Sequence, residues 1–247
     1  MLSVVIITLN EEKNLVRCLT SVKDLADEIV IVDSGSRDKT LDIAKSFGAK
    51  VFVRKFEDYG SQKNFATQKA SGDWLLSLDA DEEITGKLRD EIREAVKTKE
   101  FSAYSIPRKN IILGKFIRFT RWQPQLDRHV WLFKKGSGEW VGGVHEEFVV
   151  KGKVGKLKYP KIHHQYETVS EFLDMVNRYS QLDAEKRIKK GTKFSLFKLF
   201  FDPTYNFLVR YFYRLGFLDG WRGFVLSFLM AVYHFEVWVK IWEKENA

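Results

Sequence analysis

Residues 3–38 read SVVIITLNEEKNLVRCLTSVKDLADEIVIVDSGSRD. Two β-branched runs, Ser3–Thr8 and Glu28–Val32, flank a stretch over Glu12–Val22 in which Leu15, Cys18 or Leu19, and Val22 recur at helical spacing. A continuous apolar run without alternation suits a strand buried on both faces, and such strands belong to parallel sheets. Outward from here the pattern repeats. The spacing predicts a helix over Asp38–Phe47, a strand over Lys50–Arg54, a helix over Gln62–Ala70, a strand over Asp73–Leu78 and a helix over Thr85–Lys97. Strands alternating with helices of this length imply parallel βαβ units with right-handed crossovers and helices on both faces, an α/β fold.

From Ala103 to Ile162 short apolar runs (AYSI, VWLF, EFVV) are broken by glycines and basic residues, which predicts antiparallel strands and loops. Thr168-Val-Ser-Glu171 is a capping box that opens a helix ending near Lys190. Asp202-Pro203 reads as a second helix start, Gly216 as its left-handed stop, and Asp219–Trp242 as a last helix. The expected organisation is a first domain over residues 1–165 and a mainly helical region over residues 166–247.

Composition narrows the classes. Hydrophobic residues make up 45% of the 247, which excludes a disordered chain. The lone cysteine, Cys18, excludes a disulfide framework and a Cys-based zinc site, and a reducing compartment is the simplest reading. MLSVVIITLNEE has neither a basic n-region nor a small-residue cleavage site, so no secretory signal is expected. Residues 1–150 carry 24 basic and 23 acidic side chains, whereas residues 151–247 carry 17 and 10, so the excess positive charge sits in the tail. Residues 191–247 also hold 17 of the 36 aromatic residues. Basic plus aromatic fits an anionic membrane surface or nucleic acid, and composition does not choose between them.

Ligands of doubly wound sheets bind beyond the carboxyl ends of the strands. Three such exits carry carboxylates: Thr8-Leu9-Asn10-Glu11, Asp33-Ser34-Gly35-Ser36 and Asp79-Ala80-Asp81-Glu82. The three-glycine dinucleotide fingerprint and the Gly-Lys-Ser/Thr phosphate loop are both absent from the sequence. Two carboxylates two apart at a strand end, Asp79 and Asp81, suit a divalent cation with open positions for a diphosphate, although acidic runs also complement helix dipoles. Asp33 suits an N–H of a base such as uracil, or a turn followed by a helix cap at Ser36 or Asp38. Glu11 is placed to accept from a base or ribose, or is a surface helix residue. Lys63, at an expected helix start where a cation is unfavourable, points to a phosphate partner. Glu146 or Glu147 is a candidate general base, with a solvated pair of carboxylates as the alternative. His163 and His164 are candidate imidazole donors to the metal, with a structural role as the alternative.

Taken in order, Thr8-Leu-Asn-Glu11, Asp33-Ser-Gly-Ser36, Gln62-Lys-Asn64, Asp79-Ala-Asp-Glu82 and Val144-His-Glu146 resemble the motifs of family 2 glycosyltransferases with the GT-A fold. The likeness is closest to bacterial lipopolysaccharide core glucosyltransferases acting on heptose, and it extends to Arg178-Tyr-Ser180 and Gly216-Phe-Leu-Asp-Gly220. It implies a Rossmann-like, mostly parallel sheet followed by a mainly helical C-terminal region. It implies an inverting transfer of a hexose, glucose above others, from a UDP-sugar to a sugar hydroxyl of a lipid-linked acceptor. By position, Thr8, Leu9, Asn10, Glu11, Asp33, Ser36, Lys63, Asn64, Asp79 and Ala80 match the nucleotide site, Asp81 and His163 the binding of Mg²⁺ or Mn²⁺, and Glu146 the base. One departure stands at His145-Glu146, where many members carry Glu-Asp.

The tail adds a partner. Phe224–Tyr233 is the most apolar stretch but only ten residues long, and His234, Glu236 and Lys240 interrupt the residues beyond it, so a spanning helix is not expected. Trp221, Trp238 and Trp242, with Lys189, Lys190, Lys193, Lys198, Arg210, Arg214 and Arg222, suit an interfacial helix. The expectation is a cytoplasmic protein held peripherally on the inner face of the cytoplasmic membrane; packing against the catalytic domain or another subunit is the alternative. A metal-dependent sugar nucleotidyltransferase is the competing enzyme class, disfavoured by the acidic loop after the first strand. Nucleic-acid binding through the tail is the competing non-enzyme class, and no nucleic acid is expected at the acidic rim.

Overall fold

The computed structural model describes residues 1–142 and 146–246. Contacts divide the chain into two units, one formed by residues 1–109 and 127–163, the other by residues 110–126 and 164 onward.

The first unit opens with β1 (Leu2–Thr8), α1 (Leu15–Val22), β2 (Glu28–Asp33), α2 (Thr40–Ser46), β3 (Lys50–Val53), α3 (Tyr59–Lys69) and β4 (Trp74–Asp79). β5 (Glu82–Glu83) and α4 (Gly86–Ala95) complete the alternating half. β6 (Ala103–Ile112) comes next and crosses the boundary between the units; β7 (Lys115–Phe116) belongs to the second. The remaining strands are β8 (Arg128–Lys134), β9 (Gly138–Val141), β10 (Glu147–Val150), β11 (Val154–Lys156) and β12 (Lys161–His164). The main sheet runs β3-β2-β1-β4-β8-β6-β12-β5. Its first four strands are mutually parallel, Thr8 pairing Asp33 and Ile7 pairing Asp79, so the carboxyl ends of β1, β2 and β4 lie side by side. β8 joins antiparallel to β4 and β6 antiparallel to β8. This is the α/β architecture expected, with an antiparallel extension where glycine-broken runs predict one.

Buried β-branched residues explain the centre. Val4, Ile6, Val30, Ile31 and Val32 are all fully buried, covered by Leu15, Cys18, Leu19 and Val22 of α1 and by Leu88 and Ile92 of α4. Each such side chain contributes about 1.5–3 kcal/mol by leaving water. At the opposite rim from the strand exits, the buried Glu28 at the start of β2 accepts from Ser3 Oγ, from Lys50 Nζ at 2.6 Å, and from the Ser71 amide and hydroxyl at 2.8 and 2.6 Å. Burial opposes its charge, but these donors outweigh it and lower its pKa to about 2.

The second unit holds α5 (Val169–Lys189), α6 (Leu196–Leu208) and α7 (Trp221–Asn246). The expected capping box is present: Thr168 Oγ1 accepts from the Glu171 amide at 3.2 Å while the Glu171 carboxylate accepts from the Thr168 amide at 3.3 Å. The second helix start is corrected. Ser195 Oγ caps α6, and Pro203 sits inside the helix, because Asp202 is drawn to the indole N–H of Trp238 at 2.7 Å instead of capping a new helix. Past α6 the backbone widens into a π-helical turn over Val209–Tyr213. The left-handed residue is Leu215 (φ 57°), not Gly216. Gly216 serves close packing: a Cβ there would stand 2.7 Å from the Arg210 carbonyl oxygen and 2.6 Å from Thr120 Cγ2.

α7 also departs from expectation. At 26 residues, with an 18-residue window of mean hydropathy 1.5, it is long and apolar enough to cross a membrane by length and composition. Ser227 and His234 interrupt the run without lowering the mean enough. Its inner face is nevertheless filled: Leu226 and Leu229 pack with Phe172 and Val176 of α5, and Val237, Trp238 and Ile241 with Ala184. Trp238 and Arg210, expected on an interfacial face, are both buried.

Candidate active site

α3 turns three consecutive side chains toward three different partners, as 100° per residue demands. Asp58 caps the helix through the Ser61 amide at 2.7 Å. Gln62, fully buried, donates to Ser34 Oγ at 3.1 Å and the Arg54 carbonyl at 3.2 Å, fastening the turn after β2. Asn64 makes a two-way bond with the Trp140 backbone on β9, at 2.8 and 2.9 Å. Between them Lys63, also buried, reaches Asp79 at 3.0 Å and Glu146 at 2.7 Å, with its ammonium 4.9 Å from the ring centres of both Trp131 and Trp140. Its cation is therefore explained by carboxylates rather than by a phosphate. Burial opposes the ammonium, but Asp79 and Glu146 outweigh it and raise the Lys63 pKa; Asp79, partly exposed, is held well below the usual carboxylate range by Lys63, Lys161 and Arg108.

Asp81 stands beyond β4 and β12 brings His163 to it, Nε2 lying 3.1 Å from Oδ2. The other oxygen, Asp81 Oδ1, is buried and has no hydrogen-bond partner. An unsatisfied buried carboxylate oxygen is costly, and a divalent cation is a partner of the right charge for it. Among the described residues no group of three or more His, Cys, Asp or Glu is arranged to hold an ion. The fit is thus of two protein donors, Asp81 and His163, with the remaining positions left to ligand oxygens and water, as Mg²⁺ is bound beside phosphates.

The turn after β2 is self-contained. Asp33, fully buried, accepts from Thr8 Oγ1 at 2.8 Å, from the Gly35 and Ser36 amides at 2.9 and 2.7 Å, and from Ser36 Oγ at 2.5 Å. Ser36 Oγ in turn accepts from the Asn10 amide at 2.8 Å, and Asn10 Oδ1 from the Arg37 amide at 2.9 Å. Asn10 adopts φ 55°, a left-handed conformation that asparagine tolerates. Its neighbour Leu9 is half exposed at the rim. The Glu11 amide donates to Thr40 Oγ1 at 2.7 Å; its carboxylate has a raised pKa, chiefly from burial and then from Asp81, Asp79 and Asp38, opposed by a hydrogen bond from Asn14. Glu11, Asp79 and Asp81 therefore share one electrostatic environment. Ala80, between the aspartates, is buried. Val144 and His145 of the Val144-His-Glu146 motif lie outside the described residues.

Beneath the rim runs a charge network with no local sequence signal. Lys161 and Glu82, both fully buried, pair at 2.5 Å, and the Lys161 ammonium lies 3.5 Å from the Trp131 ring centre. Arg108 reaches Asp127 at 3.1 Å, Glu82 at 3.6 Å and His163 Nδ1 at 3.4 Å. Burial pulls the Lys161 ammonium down to about 8 against the pull of Glu82. Arg108 fixes the orientation of His163 from the side away from Asp81. Below β4, the buried thiol of Cys18 points at the Asp79 carbonyl oxygen, 3.7 Å away.

These elements define an α/β enzyme whose parallel strand exits gather carboxylates around a buried lysine. Residues 3–145 match the family model described as Glycosyl transferase family 2. The chain is 33% identical over 247 residues to a glycosyltransferase of Rickettsia typhi, covering 95% of this chain and 84% of that one. It is 31% identical over 252 residues to the lipopolysaccharide core biosynthesis glycosyltransferase LpsC of Rhizobium meliloti, covering 98% and 92%. It also resembles the crystal structure of S. aureus TarS 1–349 in complex with UDP-GlcNAc, at 15% identity and a TM-score of 0.48 over 94% of this chain and 81% of that one. The chain belongs to glycosyl transferase family 2. It is a glycosyltransferase of GT-A fold, with a helical C-terminal region.

Proposed function

We propose that this glycosyltransferase moves a hexose, glucose, from a UDP-sugar to a sugar hydroxyl of a lipid-linked acceptor such as lipopolysaccharide core, with inversion, at the inner face of the cytoplasmic membrane. The observation that carries the reading is the buried, partnerless Asp81 Oδ1 beside His163, next to Asp79 and Glu146 joined through Lys63. The name of the Rhizobium relative supports the acceptor class.

Asp81 and His163 would hold Mg²⁺ or Mn²⁺, which supplies Lewis-acid stabilisation of the charge on the departing diphosphate. Glu146 takes the proton from the acceptor hydroxyl as its oxygen bonds to the anomeric carbon. The sugar–oxygen bond to the β-phosphate breaks on the opposite face, its electron pair leaving with UDP. Lys63 holds the Glu146 carboxylate in place. Thr8, Asn10, Glu11 and Ser36 line the nucleoside end with exposed Leu9, while Asp33 acts by fixing their turn: a uracil N–H could reach it only by displacing a protein donor already present. Asn64 holds β9, and with it Trp140, against Lys63.

The test is a panel of sugar nucleotides with Mn²⁺ or Mg²⁺, monitored for slow hydrolysis. UDP-glucose is expected to release UDP, and NMR of the product formed with a saccharide acceptor to show an anomeric configuration opposite to that of the donor. Release of pyrophosphate would instead mark a nucleotidyltransferase.

A further inference from the structure

The second unit carries an aromatic surface that its own core leaves uncovered. None of the 13 residues of α6 is buried. Phe197 is 71% exposed and Phe200 63%; Phe201 and Tyr205 are about half exposed, and Phe212 and Tyr213 continue the face beyond the helix. Phe197, Phe201 and Tyr205 stack one turn apart, with ring centres 5.2 and 5.8 Å from each other, so the face is ordered before anything meets it. Exposed apolar patches of this kind mark interaction surfaces.

Charge selects the occupant. Residues 186–222 contain 9 basic and 2 acidic side chains, a net +7. Asp202 is the sole carboxylate between Lys186 and Leu218. It is turned inward onto Trp238, so it does not repel an anionic surface. Lys189, Lys190, Lys193 and Lys198 are exposed at the entry to the face, and Arg214 and Arg222 lie after it. Exposed lysines before and at the start of an aromatic face suit a bilayer whose headgroups meet the lysines while the rings enter the acyl boundary. Two copies meeting through this surface would bring like charges together.

We propose that residues 196–218, α6 and the turns after it, seat the enzyme on an anionic lipid bilayer. The contact element is centred on α6; of the α7 tryptophans, Trp238 is buried and withdrawn from it, whereas Trp221 and Trp242 are exposed. This deepens the reading of a lipid-linked acceptor and rests on it for its purpose, though not for its geometry.

The experiment is co-sedimentation of the full chain with vesicles of phosphatidylglycerol and phosphatidylethanolamine, against vesicles of phosphatidylcholine alone. The wild type is expected to pellet with the anionic vesicles only. The triple variant Phe197→Ser, Phe200→Ser, Phe201→Ser is expected to lose about tenfold or more in partitioning, with circular dichroism and sugar-nucleotide hydrolysis unchanged. Absence of wild-type binding, or a folded triple variant that binds equally well, overturns the proposal. So does a variant whose loss is of self-association or of single-stranded oligonucleotide binding instead. Hydrolysis without vesicle binding sinks this proposal and leaves the transferase reading standing; vesicle binding without turnover of any sugar nucleotide does the reverse.

Discussion

A single ammonium, Lys63 Nζ, stands between Asp79 and Glu146 at 3.0 and 2.7 Å, and an aspartate two residues further on keeps one oxygen without a donor. These contacts separate two roles. In the proposed mechanism Asp81 would be a metal donor, so Asp81→Ala is expected to lower transfer about 1,000-fold or more, as loss of several kcal/mol of charge stabilisation implies. Metal-dependent nucleotide binding should weaken with it, measurable by calorimetry with Mn²⁺ and UDP. Glu146→Gln keeps the shape and a Lys63 contact but removes the carboxylate proposed as the base. Turnover is expected to drop by about 100- to 10,000-fold with nucleotide affinity retained; wild-type turnover in this variant would move the base elsewhere. Asp33 shows what a lone motif cannot decide. Asp-Ser-Gly-Ser fits both a base acceptor and a turn, and the four donors around the carboxylate show that the turn is formed.

The alternating half was legible element by element, because β-branched runs and helical spacing state burial directly: strands expected at Ser3–Thr8 and Asp73–Leu78 stand at Leu2–Thr8 and Trp74–Asp79. α3 begins earlier than its periodicity indicates because Asp58 caps a first turn containing Gly60 and Ser61. The start of α6 was misplaced because Asp202-Pro203 has the chemistry of a helix start, which the pull of Trp238 overrides. Arg108, Lys161 and Trp131 were invisible as site neighbours: each arrives on a different antiparallel strand, and no spacing along the chain records that meeting. Two predictions belong to elements. Glu28 ties β1, β2 and β3 to the turn before β4, and its folded pKa of about 2 lies below the unfolded value. Its contribution is therefore complete above about pH 4.5 and lost as pH falls toward 2. Glu28→Gln is expected to cost up to about 3 kcal/mol at neutral pH and to flatten the acid limb of a urea-unfolding series. In α7, a Cβ at Gly223 would overlap the Gly216 carbonyl oxygen. Gly223→Ala is expected to lower stability by about 1–3 kcal/mol despite better helix propensity, read as a drop in Tm.

Across the whole chain, chemistry and charge are segregated along the sequence. The carboxylate rim belongs to a near-neutral stretch, residues 1–150 with 24 basic and 23 acidic side chains, and the net +7 of residues 186–222 lies in the other unit. The buried Cys18, the one thiol in 247 residues, extends this to dynamics. Sealed beneath the β4 exit, and with its thiol made harder to ionise by burial and by Glu82, Asp81 and Asp79, it is silent to alkylating reagents while the parallel half stays closed. Iodoacetamide labelling in native buffer is therefore expected to proceed only at the frequency with which α1 lifts from the sheet, many-fold slower than in urea, as mass spectrometry can track. Nature has left an intrinsic stopwatch under the aspartates, one that times their scaffold without any engineered probe.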